Sequence, residues 1–379
     1  MREAIVAGLG TALPPPTMQD DLWDGFFAQH YPADRQALAR RIFANSGVRT
    51  RQAVVSPLLE DVSDWSTERR MRRYQAEAMP LGKEAADRAL TDAGLGADQL
   101  GLFAVCSCTG YATPGLDILL ARDLGMAPSV QRLFVGHMGC YAALPGLGTA
   151  ADFVVARNRP ALLLCAELTS LHMQPLGVRA DLQQIVSHAL FADAAAAVVL
   201  TPSDYSDSAG RSDSAGRSDS AGRSGSAGRS GYAVRETSAV TDATTADHMT
   251  WEVTDHGFRM GLSSRVPAVL GVHVRRMVED LLARHDLTIA DVDGWAVHPG
   301  GPKILDVVQE RLGLTDEQIA PSRDVLATYG NCSSPTVLLV LDALRSRTAP
   351  PHRVVMLAFG PGLTLYGTLL EAATVARDR

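Results

Sequence analysis

Six short, unbroken apolar runs constrain this chain most: Ala4–Ala7, Leu102–Ser107, Ala161–Ala166, Ala195–Leu200, Gly294–His298 and Val354–Phe359. None alternates apolar with polar residues, so none suits a sheet with one wet face. A strand that is apolar on both sides must be covered on both. Longer amphipathic segments separate the runs and read as helices: Tyr74–Ala93, Gly115–Leu124, Tyr141–Ala156, Pro267–Leu282, Lys303–Leu312 and Thr336–Ser346. Strands alternating with helices predict an α/β protein with sheets buried between helical layers. A late strand leads into a small-residue segment twice, at Leu162–Glu167 and at Val354–Gly360, which hints at a duplicated α/β unit.

With 379 residues, 46% of them apolar, the chain can build one large domain or two fused ones. One segment differs in kind. From Ser206 to Arg229 a six-residue unit repeats, Ser-Asp-Ser-Ala-Gly-Arg three times and then Ser-Gly-Ser-Ala-Gly-Arg. It has no aromatic or branched apolar residue and cannot bury a core, so it reads as a flexible surface insertion. The N-terminal apolar run is too short for a signal-peptide core and reads as a first strand entering a Gly turn. No stretch approaches the roughly 20 apolar residues that span a bilayer. A net charge of −7 argues against a surface that coats nucleic acid. The five cysteines form no CxxC pair and no zinc spacing, so no structural metal is expected. The expectation is a soluble cytoplasmic protein with reduced thiols.

Three residues can carry chemistry. Cys140 lies in Gly-His-Met-Gly-Cys-Tyr-Ala-Ala, after an apolar run and before a small-residue helical pattern. At a helix N-terminus, unpaired N–H groups and the helix dipole would stabilise a thiolate. His298 ends a strand and precedes the sharp turn Pro-Gly-Gly-Pro. Asn331 precedes an apolar helix within Tyr-Gly-Asn-Cys-Ser-Ser-Pro. Taken singly, these read equally as a buried cysteine, a satisfied histidine and a helix cap. Taken together, a thiol can accept an acyl group from a thioester, and two neutral donors can stabilise an enolate. The same set would serve a papain-like peptidase, with His298 as general base.

Six ordered motifs settle the context: Gly-His-Met-Gly-Cys-Tyr-Ala-Ala around Cys140, Ala-Leu-Phe-Ala-Asp-Ala-Ala-Ala-Ala at 189–197, Gly-Phe-Arg-Met at 257–260, His-Pro-Gly-Gly-Pro at 298–302, Tyr-Gly-Asn at 329–331 and Phe-Gly-Pro-Gly-Leu-Thr at 359–364. With them the chain resembles the type III polyketide synthases, the chalcone-synthase-like branch of the thiolase-fold condensing enzymes. The resemblance covers nearly everything outside the repeat. It implies a thiolase-like five-layered αβαβα fold from two duplicated halves, residues 1–201 with the nucleophile and 232–379 with His and Asn, joined through the low-complexity span 202–231. It also implies a homodimer. An acyl-CoA starter is loaded on Cys140 and extended by decarboxylative Claisen condensation with malonyl-CoA. The chain then cyclises to a pyrone or phenolic product. Neither metal nor cofactor is called for.

The same resemblance assigns Phe191 and Phe258 as gatekeeper aromatics between a CoA tunnel and the cavity. Thr109, beside Cys108, Thr169, His172 and Ser333 match cavity-wall positions. His172, where plant members carry a small or hydroxyl residue, lines the cavity or takes part in cyclisation. Thr113 matches a residue that reaches the partner subunit's cavity. Gly300, Gly301, Gly360 and Pro361 match backbone that packs against substrate. Arg41 matches one CoA-phosphate contact. Leu38 and Asn45 stand where others would be, with Arg40, Arg49 and Arg51 available to compensate. A single-condensation ketoacyl-synthase-III-like enzyme, an acyltransferase on the same fold, and a non-catalytic scaffold remain the alternatives.

Overall fold

The computed structural model describes residues 2–174, 182–205 and 230–374. The repeat at 206–229 lies outside these residues. Strand reaches into the 202–231 span from both sides, because Pro202 pairs with Ala4, and Ser230 and Gly231 pair with Thr374 and Ala373.

All six apolar runs are strands of one nine-stranded sheet. In the first half the order is Gln131–Val135, Leu102–Cys106, Ala161–Leu168, Asp193–Pro202, Ala4–Ala12. In the second it is Gly294–Val297, Arg353–Gly360, Thr364–Thr374, Ser230–Thr241. The halves repeat one pattern. A parallel pair (Leu102–Cys106 with Ala161–Leu168, Gly294–Val297 with Arg353–Gly360) is followed by two antiparallel neighbours. Among the described residues, the second half lacks a counterpart of the edge strand Gln131–Val135. The halves meet where Ile5 pairs with Ala233 and Val6 with Tyr232.

Alternation along the strands builds five layers. Ala104, Leu163 and Cys165 of the first half share a core with Ala296, Met356 and Ala358 of the second, and the helices Ala143–Arg157 and Pro335–Arg345 fill the space between them. The opposite faces are covered separately. Phe103, Val105 and Leu164 pack on helix Thr67–Ala93, while Trp295, Val355 and Leu357 pack on helices Val266–Ala283 and Pro302–Leu312. A helix between two halves of a sheet must be apolar nearly all round. That is why segment Gly139–Arg157 is, among the described residues, long and apolar enough to cross a membrane, with a mean hydropathy of 1.2. Here it is the middle of the sandwich.

The expected Gly turn after Ala7 is absent, and the first strand runs on to Ala12. Its glycines serve close approach instead. A Cβ added at Gly10 would stand 2.3 Å from the Ala89 backbone nitrogen, so helix Thr67–Ala93 rests directly on the strand.

Candidate active site

Cys140 sits on a single tight turn, Gly139–Tyr141, between the edge strand and the central helix Ala143–Arg157. Gly139 has φ +67°, a conformation costly for a residue with a Cβ. A Cβ there would also stand 3.0 Å from Pro361 Cδ. One at Gly360 would stand 2.6 Å from Tyr141 Cδ1. The end of strand Arg353–Gly360 is therefore clamped onto the cysteine turn, which accounts for both glycines and Pro361.

His298 follows Gly294–Val297 and donates its backbone N–H to Leu357 O at 2.7 Å. Its ring is 1% exposed, and neither ring nitrogen has a hydrogen-bond partner among the described residues. Asn331 leaves helix Asp316–Tyr329 and forms an isolated bridge with Phe191. Its N–H donates to Leu190 O at 2.8 Å, and its carbonyl accepts from Ala192 N at 2.9 Å. Its Oδ1 accepts from Ser333 N at 2.9 Å, which turns the carboxamide N–H groups the other way. Ser333 in turn shares the wall of one chamber with Cys140, its hydroxyl 4.0 Å from Cys108 Sγ. On the other side, Gly300 lies close to the His298 ring, and Gly301 packs on Leu190. Asn331 is tied through its backbone to Phe191, a wall residue of the Cys140 chamber, but neither Asn331 nor His298 itself lines that chamber or the larger cavity beside it.

Burial decides the charges. Loss of water pushes the Cys140 thiol up to about 12, with buried Glu167 adding to the rise and the Ser333 side chain opposing it. This overturns the expectation of a stabilised thiolate: desolvation outweighs the helix terminus. The same loss of water pulls His298 down to about 3. Burial thus disfavours the charged form of each group.

Cys140 opens on a chamber of about 330 Å³, lined in part by Thr109, Thr169, Phe191, Ser333 and Pro361. Beside it lies a larger cavity of about 720 Å³, mouth included, lined in part by Phe258, His172, Thr169 and Phe191. Both ring nitrogens of His172 are engaged with backbone. Its Nε2–H donates to Thr109 O at 2.6 Å, its Nδ1 accepts from Phe258 N at 3.0 Å, and its ring stacks on Phe258 at 4.5 Å. It is a neutral brace for the wall. Thr113 is exposed and lines neither cavity of this chain. Arg41 is exposed on helix Ala33–Ala44, outside both cavities.

Two of the compensating arginines are committed elsewhere. Arg51 is buried and donates to the carbonyls of His188 and Phe191. Arg40 lies 3.6 Å from Asp20 and over the Trp23 ring. Three wall residues went unnoticed in the sequence: Met249, Trp251 and Met260. They lie on a separate hairpin, Met249–Thr254 with Gly257–Leu262, whose Asp-His-Gly turn and alternating pattern were the available signal.

A buried cysteine at the head of a central helix, between the two like halves of the sheet, defines the thiolase-like condensing enzymes. Within that class the chain belongs to the chalcone and stilbene synthases: the N-terminal domain of that family matches residues 2–204 and the C-terminal domain residues 237–374. It is 30% identical over 378 residues to the alpha-pyrone synthesis polyketide synthase-like Pks18 of Mycobacterium tuberculosis, covering 97% of this chain and 91% of that protein. It is 35% identical over 376 residues to the 1,3,6,8-tetrahydroxynaphthalene synthase of Streptomyces peucetius subsp. caesius, covering 98% and 93%. The crystal structure of PKS-I from the brown alga Ectocarpus siliculosus superposes with a TM-score of 0.84 at 28% identity over 98% of this chain and 99% of that one. The C-terminal type III polyketide synthase domain of Steely1 from Dictyostelium gives 0.86 at 26%, over 99% and 100%. The chain is an acyltransferase-type condensing enzyme of the type III polyketide synthase family.

Proposed function

We propose that this enzyme loads an acyl-CoA starter on Cys140, extends it with malonyl-CoA, and cyclises the product to a pyrone or a phenolic ring. In loading, the Cys140 sulfur bonds the acyl carbon, the thioester bond to CoA breaks, and the thiol proton ends on the CoA sulfur. In extension, malonyl-CoA loses carbon dioxide, and the electron pair of the broken bond becomes an enolate. The enolate carbon attacks the Cys140 thioester, forming a carbon–carbon bond and releasing the cysteine sulfur. Negative charge develops on the thioester oxygen, and His298 and Asn331 are assigned here to stabilise it as neutral donors. Neutral donors suit this step, since a cation would also hold the departing carboxylate.

The observation that carries this reading is the His298 ring, buried with no partner for either nitrogen among the described residues. Such a group costs about 1–3 kcal/mol and calls for a ligand. The relatives support the product class, since one is described by alpha-pyrone synthesis and the other makes a hydroxylated naphthalene. The family match favours iterative extension over a single condensation on a carrier protein. Arg41, exposed and unpaired among the described residues, is assigned to a CoA phosphate. A homodimer is part of the proposal. It is supported by the free edge of Gln131–Val135, by Phe134 at 40% exposure on it, and by exposed Thr113 beside Tyr111.

The test measures the two half-reactions separately. Cys140→Ala abolishes acyl loading, read by mass spectrometry of the intact protein. His298→Gln and Asn331→Ala lower carbon dioxide release from malonyl-CoA more than loading. Equal loss of both half-reactions in the Asn331 variant contradicts this division of labour. Loading without carbon dioxide release in the wild type points instead to a plain acyltransferase.

A further inference from the structure

Trp251 and Met260 face each other across the antiparallel hairpin. That hairpin is a two-stranded sheet of its own, separate from the nine-stranded one. Both side chains line the Cys140 chamber and also the larger cavity, as do Thr169 and Phe191. These four make the wall between the two spaces. Thr169 is held by hydrogen bonds to Ala192 O at 2.8 Å and Asp193 Oδ1 at 3.2 Å. The Phe191 backbone is bridged to Asn331. Trp251 and Met260 are thus the two members of the wall carried on neither the central sheet nor the Asn331 loop.

The indole is set across the opening from both ends. Its N–H donates to Cys108 O at 2.8 Å, on the Cys140 side. On the far side its ring meets His172 edge-on at 5.4 Å and Phe258 at 5.9 Å. The spaces differ in chemistry as well as size. The space at Cys140 is the smaller, about 330 Å³ with its mouth included, and its wall is largely apolar. The cavity of about 720 Å³ adds Gln52, Gln184, Ser170 and Ser187, which suit a chain with a carbonyl at every second carbon.

We propose that Trp251, with Met260, is the partition that fixes product length: the growing chain fills the Cys140 chamber, meets the indole, and turns back to close its ring. Removing either side chain opens the larger cavity to further extension. This rests on the polyketide reading above and names the residues that set its product.

The experiment incubates the full chain with malonyl-CoA and hexanoyl-CoA and reads product masses. Trp251→Ala and Met260→Ala shift the main product heavier by one or more malonyl-derived two-carbon units. Trp251→Phe, which keeps a ring but loses the N–H, retains the wild-type length. Met260 makes no side-chain hydrogen bond among the described residues, so Met260→Ala decides alone if Trp251→Ala lowers the melting temperature. Alanine variants that still acylate Cys140 and release carbon dioxide, yet return the wild-type product, overturn the partition. A wild-type enzyme that never acylates Cys140 overturns the polyketide reading and this inference with it.

Discussion

Alkylation of Cys140 in the resting enzyme is a sharp test of the site's electrostatics. With its thiol pushed up to about 12, roughly one molecule in 30,000 carries a thiolate at pH 7.5. An ordinary cysteine near 8.5 carries about one in ten, a difference of about 3,000-fold. A more basic sulfur is intrinsically more nucleophilic, which returns a factor of about 40 over 3.5 pKa units. The net expectation is alkylation about a hundredfold slower than a free thiol, before any steric hindrance from a site that is 6% exposed. Iodoacetamide time courses from pH 6 to 9, read on the Cys140 peptide, give the rate at each pH. It should climb about tenfold per pH unit across the whole range. A rate that levels off below pH 8 would refute the reasoning and show a thiolate held by its surroundings.

Other consequences follow from the same physics. Arg70, fully buried, sends all its hydrogen bonds to backbone carbonyls, those of Val62, Ser63, Trp65, Leu171 and Met173. Arg70→Met should cost at least about 3 kcal/mol in urea unfolding, and Arg70→Lys should not restore it, having three donors rather than five. Gly139→Ala adds about 1–2 kcal/mol of backbone strain and a contact with Pro361, so acyl loading should fall at least tenfold; wild-type loading rates would show that the turn tolerates a Cβ. Acid sensitivity is set by the buried histidines. His188 is held near 3 by burial, well below its unfolded value of 6.5. As pH falls through that window the unfolded chain takes up the proton first, so stability is lost. Glu167 and Asp193, held up by burial, act in the opposite sense and are common to wild type and variant. His188→Gln should therefore reduce the slope of unfolding free energy between pH 5.5 and 4.5 by about 1.4 kcal/mol per pH unit, and an unchanged slope would count against a neutral buried His188.

The parts legible in the sequence share a cause. Unbroken runs such as Ala161–Ala166 announce strands covered on both faces, because nothing else makes six consecutive apolar residues soluble. Cys140, His298 and Asn331 stand out because each sits where a regular element meets a turn, and Gly139, Pro299–Pro302 and Gly330 mark those turns locally. What stayed hidden is set by distant partners. Strand Gln131–Val135 is at the sheet edge and largely exposed, so its apolar run is only three residues long and does not announce a strand. Strand Thr364–Thr374 contains Thr364 and Thr368, whose hydroxyls meet those of Thr241 and Thr237 across the sheet, and its polarity is explained only by that pairing. Trp251 was passed over because its importance lies in which two cavities it separates.

The direction of the Cys140 shift was hidden for a deeper reason, and it bears on mechanism. The sequence displays a helix start, which lowers a thiol's pKa, but not the removal of water, which raises it more. Dryness moves Cys140 and His298 in opposite directions, each away from its charged form. A papain-like peptidase needs a thiolate already paired with an imidazolium, a state this site disfavours at both ends. A decarboxylating condensation needs no resting ion pair. Its charge appears only when malonyl-CoA breaks down, and water-free surroundings both strengthen the waiting N–H donors and protect the enolate from protonation. On the proposed mechanism, the burial that makes this site a poor protease is what a carbanion requires, and the His298 ring, without a partner for either nitrogen among the described residues, is left free to meet it.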